Sequence, residues 1–312
     1  ANDFGQFGEP NALYRNDGVN GGGIPQFTEV GAEAGFGVAV YGMGIAAADL
    51  NEDGWLDYHV TSIGRPFLGL GGPAGDFVDA TAEYGLDLVY DDDGHIVSWT
   101  PVFADFDGDG WTDFYVSVGH IPAASFISNA KEMSNLMIIG GPDTPWLVNT
   151  EQYWLPEHAK NRARGVSLGD FDADGRTDFA LGHANGLLNI YRSVTAKVPL
   201  RLKLKPTTTG PSASGARVVG TCGGFTRTAE LTGGGPFSSR HDPVVRLSFP
   251  PACNTLVSLM IRWPSGHVQT MTAAEGSAAV VTEENWLTVD DGLITLSPRD
   301  ATGAPLSESA SV

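Results

Sequence analysis

Ala104-Asp105-Phe106-Asp107-Gly108-Asp109-Gly110-Trp111-Thr112-Asp113-Phe114 carries Asp at its second, fourth, sixth and tenth residues, with a glycine before the tryptophan. Two further segments align with it: Ala48-Asp49-Leu50-Asn51-Glu52-Asp53-Gly54-Trp55-Leu56-Asp57-Tyr58 and Gly169-Asp170-Phe171-Asp172-Ala173-Asp174-Gly175-Arg176-Thr177-Asp178-Phe179. All three read D-x-[DN]-x-D-G-x-x-D-aromatic. Asp49 to Asp105 is 56 residues and Asp105 to Asp170 is 65, close to the length of one four-stranded propeller blade. Short apolar runs precede each loop, and β-rich runs such as Tyr115-Val116-Ser117-Val118 follow. The loops therefore join strands, and the repeat predicts an all-β, propeller-like architecture.

Numbered from the first Asp, each loop offers oxygen at positions one, three, five, seven and nine. In the first these are Asp49, Asn51, Asp53, the Trp55 carbonyl and Asp57; in the second Asp105, Asp107, Asp109, the Trp111 carbonyl and Asp113. In the third they are Asp170, Asp172, Asp174, the Arg176 carbonyl and Asp178. A hard divalent cation takes six to eight such oxygens, and calcium suits this ligand number better than octahedral magnesium. The pattern starts like an EF-hand but places Val60, Val116 or Leu181 where that motif has its bidentate Glu. One such loop on its own reads either as a cation site or as a polar Asp/Gly turn. Three in register are not explained as turns, because a turn needs no oxygen at alternate positions, and the clustered carboxylates repel one another without a cation. The expectation is Ca2+ at about three sites.

The rest of the composition agrees. Asp plus Glu is 37 and Lys plus Arg 18, for a net charge of −19, which disfavours nucleic acid and anionic lipid as partners. No apolar run has the length of a transmembrane segment. Forty-one glycines and 19 prolines suit many short strands joined by turns. Cys222 and Cys253 have no CxxC or Cys/His cluster around them, which leaves one disulfide or two buried thiols. A disulfide points to an oxidising compartment. The opening Ala1-Asn2-Asp3 suits a mature secreted protein after signal removal.

From about Pro199 the acidic loops stop and alternating strands appear, among them Leu200-Arg201-Leu202-Lys203-Leu204 and Val257-Ser258-Leu259-Met260-Ile261-Arg262-Trp263. The repeats resemble the FG-GAP/VCBS repeats of integrin-α-like β-propellers. Gly215-Ala216-Arg217-Val218, Gly233-Gly234-Gly235-Pro236-Phe237-Ser238-Ser239-Arg240, and Ile261-Arg262-Trp263-Pro264-Ser265-Gly266 with Gln269 resemble the ASPIC/UnbV domain. That order is similar to the cartilage acidic protein-like family. The resemblance implies a calcium-loaded propeller followed by a small β-sandwich, and no one activity. We expect a repeat domain over 1–195, a β-sandwich over 196–290 and a tail over 291–312. Where the family has a Phe-Gly-Leu-Gly run, this chain has Leu247-Ser248-Phe249-Pro250-Pro251, so that turn is rebuilt.

No Gly-x-Ser-x-Gly elbow, His-Glu-x-x-His, P-loop or Rossmann fingerprint occurs. Arg65, His120 and His183 each follow the post-loop strand of their repeat. They are solvated loop residues, or they line a shared polar pocket with Asp91-Asp92-Asp93-Gly94-His95. Trp99, Trp111, Trp146 and Trp154 read as blade packing in preference to a sugar platform. The leading expectation is a secreted, extracellular or periplasmic, calcium-binding module. It works by binding a protein or glycan ligand, by adhesion, or by self-association. The rival is a biosynthetic cyclase or hydrolase with a pocket on the propeller axis. Three loop-bearing repeats are few for a ring, since closed propellers take about four to eight blades. Pairing of the Tyr14 and Phe27 strands with the Leu187–Tyr191 strand, within or between chains, would cover their edges.

Overall fold

The computed structural model describes residues 1–5, 7–87, 96–119, 121, 135–143, 146–148, 162–184, 186–206, 212–253, 256–274, 278–282 and 286–287. Among them every regular element is a β-strand, and no helix is long and apolar enough to cross a membrane.

The N-terminal strands form four separate sheets. A hairpin of β1 (Tyr14–Val19) and β2 (Pro25–Glu29) comes first. A four-stranded sheet follows in sequence order: β3 (Ile45–Ala48), β4 (Asp57–Val60), β5 (Phe67–Gly71) and β6 (Phe77–Asp79). The next, also in sequence order, has β7 (Ser98–Ala104), β8 (Asp113–Val118), β9 (Leu136–Ile139) and β10 (Leu147–Val148). The last has three: β11 (Ala163–Gly169), β12 (Asp178–His183) and β13 (Asn189–Tyr191). Each acidic loop joins the first two strands of its sheet.

Period-two alternation makes these sheets stack face to face. Along β8, Phe114, Val116 and Val118 pack with Leu68 and Leu50 of the preceding repeat. Tyr115 points to the other face, with Val166, Phe179 and Leu181 of the following repeat. Thus β8 is buried along its whole length. Phe36 packs edge-on against Phe67, at 5.6 Å between ring centres, and fixes the N-terminal segment on the first full sheet. The sheets thus stack in chain order, with the β1–β2 hairpin before the first full sheet and β13 in the last.

That placement answers the expectation about edge pairing. Among the described residues β1 is bonded to β2 alone and β13 to β12 alone, so no closed ring forms within the described chain. In chain order two four-stranded sheets lie between the hairpin and the sheet of β13, and Tyr14, Phe27 and Ile190 are each more than half exposed.

The C-terminal strands build two facing sheets. One has the order β17-β14-β20-β21 and the other β16-β15-β18-β19. These are β14 (Leu200–Lys205), β15 (Arg217–Cys222), β16 (Phe225–Glu230), β17 (Val245–Leu247), β18 (Leu256–Arg262), β19 (Val268–Ala274), β20 (Ala278–Thr282) and β21 (Trp286–Leu287). Leu200, Leu202 and Leu204 alternate with Arg201, Lys203 and Lys205 and point into a core shared with Val218, Leu259, Ile261 and Trp263. Each such side chain contributes about 1.5–3 kcal/mol by leaving water. Trp263 is buried because its one polar atom is satisfied: Nε1 donates to Gln269 Oε1 at 2.6 Å. Cys222 and Cys253 form a disulfide with 5.7 Å between their Cα atoms. It ties the end of β15 to the rebuilt turn after β17.

Candidate metal centre

The three loops repeat one hydrogen-bond scheme. The position-one carboxylate turns back on the loop: Asp49, Asp105 and Asp170 each accept the N–H of the position-six glycine, at 3.0, 3.1 and 2.9 Å. The position-five carboxylate accepts the N–H of position seven in Asp53, Asp109 and Asp174, at 2.8, 2.8 and 2.9 Å. Position nine, expected as a ligand, is a strut. Asp57 takes the Leu50 N–H at 2.7 Å and the Gly71 N–H at 2.9 Å. Asp113 takes those of Phe106 and Gly140 at 2.6 and 3.0 Å, and Asp178 those of Phe171 and Ser193 at 2.9 and 2.8 Å. One buried carboxylate thus pins each loop to the third strand of its own sheet or the residues just after it. The chain at position four is left-handed in all three, at Glu52, Gly108 and Ala173 with φ of 61°, 79° and 62°.

Asp105, Asp107 and Asp109 bring one oxygen each within 4.8 Å of one another, and so do Asp170, Asp172 and Asp178. Asp113 and Asp174 fall outside these two groups, and the first loop, with Asn51 at position three, makes no such carboxylate group among the described residues. Burial pushes the Asp105 carboxyl up to about 6, Asp57 to about 7 and Asp113 to about 8, with neighbouring Asp charges adding to the effect. A cation works against both causes. The orphaned Oδ1 of Asp49, a side chain only 8% exposed, has no hydrogen-bond partner. A donor set of hard oxygens with one buried oxygen unused fits a hard cation.

The loops differ in their counter-charges. Every acidic residue at positions one, three and five of the third loop faces a guanidinium: Asp170 with Arg201 at 3.3 Å, Asp172 with Arg192 at 3.3 Å and Asp174 with Arg176 at 2.6 Å. The repulsion expected from sequence is already offset there.

All three loops face the C-terminal sheets. The rebuilt turn lies on the second loop, where a Cβ on Gly110 would come within 2.2 Å of the Phe249 and Pro250 backbone. Arg227 of β16 is the main tie. It donates to the Gly110 carbonyl from Nε at 3.1 Å and Nη2 at 2.7 Å, and to the Ser248 carbonyl at 3.1 Å. It pairs with Glu52 of the first loop and lies 4.8 Å from the centre of the Trp111 ring. Further along, Leu168 of β11 receives the Asp242 N–H at its carbonyl, and donates its own N–H to His241 Nδ1 at 3.0 Å. Between these ties lies a cavity of about 480 Å³, bounded by β3, β7 and β16 and lined by Asp49, Asp105, Arg227, Thr228, Glu230 and His241 among others.

Other residues singled out from sequence have plainer settings. Arg65 forms an exposed ion pair with Asp79 at 3.1 Å, and burial lowers the pKa of His183 at the end of β12. His120 and the Asp91–His95 run lie outside the described residues, as does Trp154. Trp99 and Trp146 are buried in packing contacts with Phe237 and Tyr84, and Trp111 lies under Arg227.

No curated protein matches the chain. Residues 206–285, which span β15 to β20 and the turn that rests on the second loop, match the family model of ASPIC and UnbV.

Proposed function

We propose that the chain is a calcium-binding, β-propeller-like module joined to an ASPIC/UnbV β-sandwich, with repeats over 1–195, the sandwich over 196–290 and a tail over 291–312. It works by binding: a protein or glycan ligand, or another copy of itself, outside the cytoplasm. The observation that carries this reading is the shared cage of three loops. Each offers oxygens at positions one, three, five and nine from the same backbone scheme, and although these groups also accept loop N–H bonds, a buried oxygen such as Asp49 Oδ1 is left over. Calcium would be held by Asp49, Asn51, Asp53, Asp57 and the Trp55 carbonyl, and by the corresponding residues of the other two loops. It would supply charge balance and rigidity. The disulfide and the ASPIC/UnbV match are compatible with an extracellular or periplasmic site. Equilibrium dialysis of chelator-treated protein against calcium tests the reading, and retention of no calcium refutes it.

The cavity favours a second reading, in which it holds a substrate for a cyclase or hydrolase. Its raised carboxyls include Asp105 and Glu230. Asp105 is itself a loop residue, however, so cation binding accounts for it without a reaction.

A further inference from the structure

The position-one carboxylates share a feature that no loop motif contains. Each is met by a polar side chain from the C-terminal sheets. Thr228 of β16 lies against Asp49, Ser248 against Asp105, and Arg201 of β14 against Asp170. At the third loop the visitor is a fixed cation, with Nη1 of Arg201 3.3 Å from Asp170 Oδ2. At the first loop it is a hydroxyl, and the pairing is incomplete. Asp49 Oδ1 and Thr228 Oγ1 are both buried and face one another, but their contact falls outside good hydrogen-bond geometry and neither has another partner. Both residues line the same cavity. Two buried oxygens side by side and unsatisfied are costly, and a hard cation is one group that satisfies both at once.

We propose that Thr228 Oγ1 is a cation ligand supplied across the interface, so that the ion in the first loop bridges the blades and the C-terminal sheets. This rests on the calcium reading above. With Asp49, Asn51, Asp53, Asp57 and the Trp55 carbonyl, Thr228 brings the first loop to six oxygen donors, the lower end of what calcium takes. Arg201 performs the bridging at the third loop without an ion. Cation binding and seating of β16 are then one coupled event, and the affinity of the first loop reports whether the C-terminal sheets are docked.

Terbium binding sensitised by tryptophan tests this in the full chain. Asp107→Lys, which sets an ammonium where the second loop would bind its ion, silences that loop, and the third has Arg176 where the others have a tryptophan, so the signal comes from the first loop beside Trp55. In that background Thr228→Val is expected to raise the terbium dissociation constant about tenfold or more, and Thr228→Ser to restore it. Terbium is also expected to slow amide exchange over 225–230 in the parent and the Ser variant, and not in the Val variant. If Val fails to fold, Thr228→Ala is read by the same criteria. Equal affinity in the Val and Ser variants, or equal slowing of exchange over 225–230, overturns the bridge and leaves the calcium loop standing. A parent that gives no sensitised emission overturns the calcium reading itself.

Discussion

Replacing Arg227 by Met keeps much of the aliphatic stem and removes the guanidinium. The Arg227 side chain is 9% exposed, and its partner Glu52 is 21% exposed. Truncating one member of a buried ion pair costs roughly 3–5 kcal/mol. Glu52 can recover some water at its exposed edge, which favours the lower end, about 3 kcal/mol. The Gly110 carbonyl loses two donors and the Ser248 carbonyl one, so little of that cost is recovered elsewhere. At about 2–4 °C per kcal/mol for a folded unit of 150–250 residues, the melting temperature should fall by roughly 6–12 °C at saturating calcium. Calorimetry measures the fall. Tryptophan fluorescence should shift as well, because Trp111 loses the cation over its ring. Glu52→Gln alone should cost less, and the double variant should be less than additive by about 1 kcal/mol. A fall below about 2 °C with additive single effects would refute the view that Arg227 clamps the C-terminal sheets onto the loops.

Gly54 and Gly110 hold the same loop position with φ of 88° and 90°, but a Cβ meets nothing at Gly54 and backbone at Gly110. Gly54→Ala should therefore cost only the left-handed strain, about 1–2 kcal/mol, while Gly110→Ala should also expose the Phe249–Pro250 turn to proteolysis; equal costs and equal cleavage would contradict the docking described. Reducing Cys222–Cys253, whose ends are 31 positions apart, should destabilise the chain by about 3–4 kcal/mol in denaturant titration. Burial holds the His241 pKa below its ordinary value of 6.5, although neighbouring Asp242 raises it. At this site the folded state then binds fewer protons than the unfolded one, so the stability His241 contributes is complete above about pH 6.5 and falls as the pH drops below it. His241→Gln, which keeps an acceptor for the Leu168 N–H, should flatten that part of the pH profile relative to the parent.

Much of this was legible in the chain because it is local. The candidate ligand residues of each loop lie within nine positions of each other, and strands betray themselves by alternation, as in Leu200-Arg201-Leu202-Lys203-Leu204. The strut role of position nine had a signal that went unused. Gly71-Gly72-Pro73 and Gly140-Gly141-Pro142 recur after the third strand, and a Cβ on Gly71 or Gly140 would strike the Leu56 or Thr112 carbonyl. The left-handed position four had none, since Glu52 and Ala173 look like ordinary loop residues. Arg227 reaches a loop 117 residues away, and Arg201 one 31 residues away. No spacing rule encodes such contacts, because they depend on how two sheet stacks meet. Edge chemistry alone pointed to pairing of β1 with β13; within the described chain each is bonded only to its neighbour in its own sheet, which leaves pairing between chains.

The central claim is that the three acidic loops are cation sites on which the fold depends. Thermal unfolding of chelator-treated protein with calcium added back tests it most directly. A site occupied at 100 times its dissociation constant stabilises the folded state by about 2.7 kcal/mol. Calcium at that excess should therefore raise the melting temperature by several degrees, with Asp49→Asn and Asp105→Asn each removing part of the rise. A melting temperature that does not respond to calcium, with no calcium retained by elemental analysis, would contradict the account.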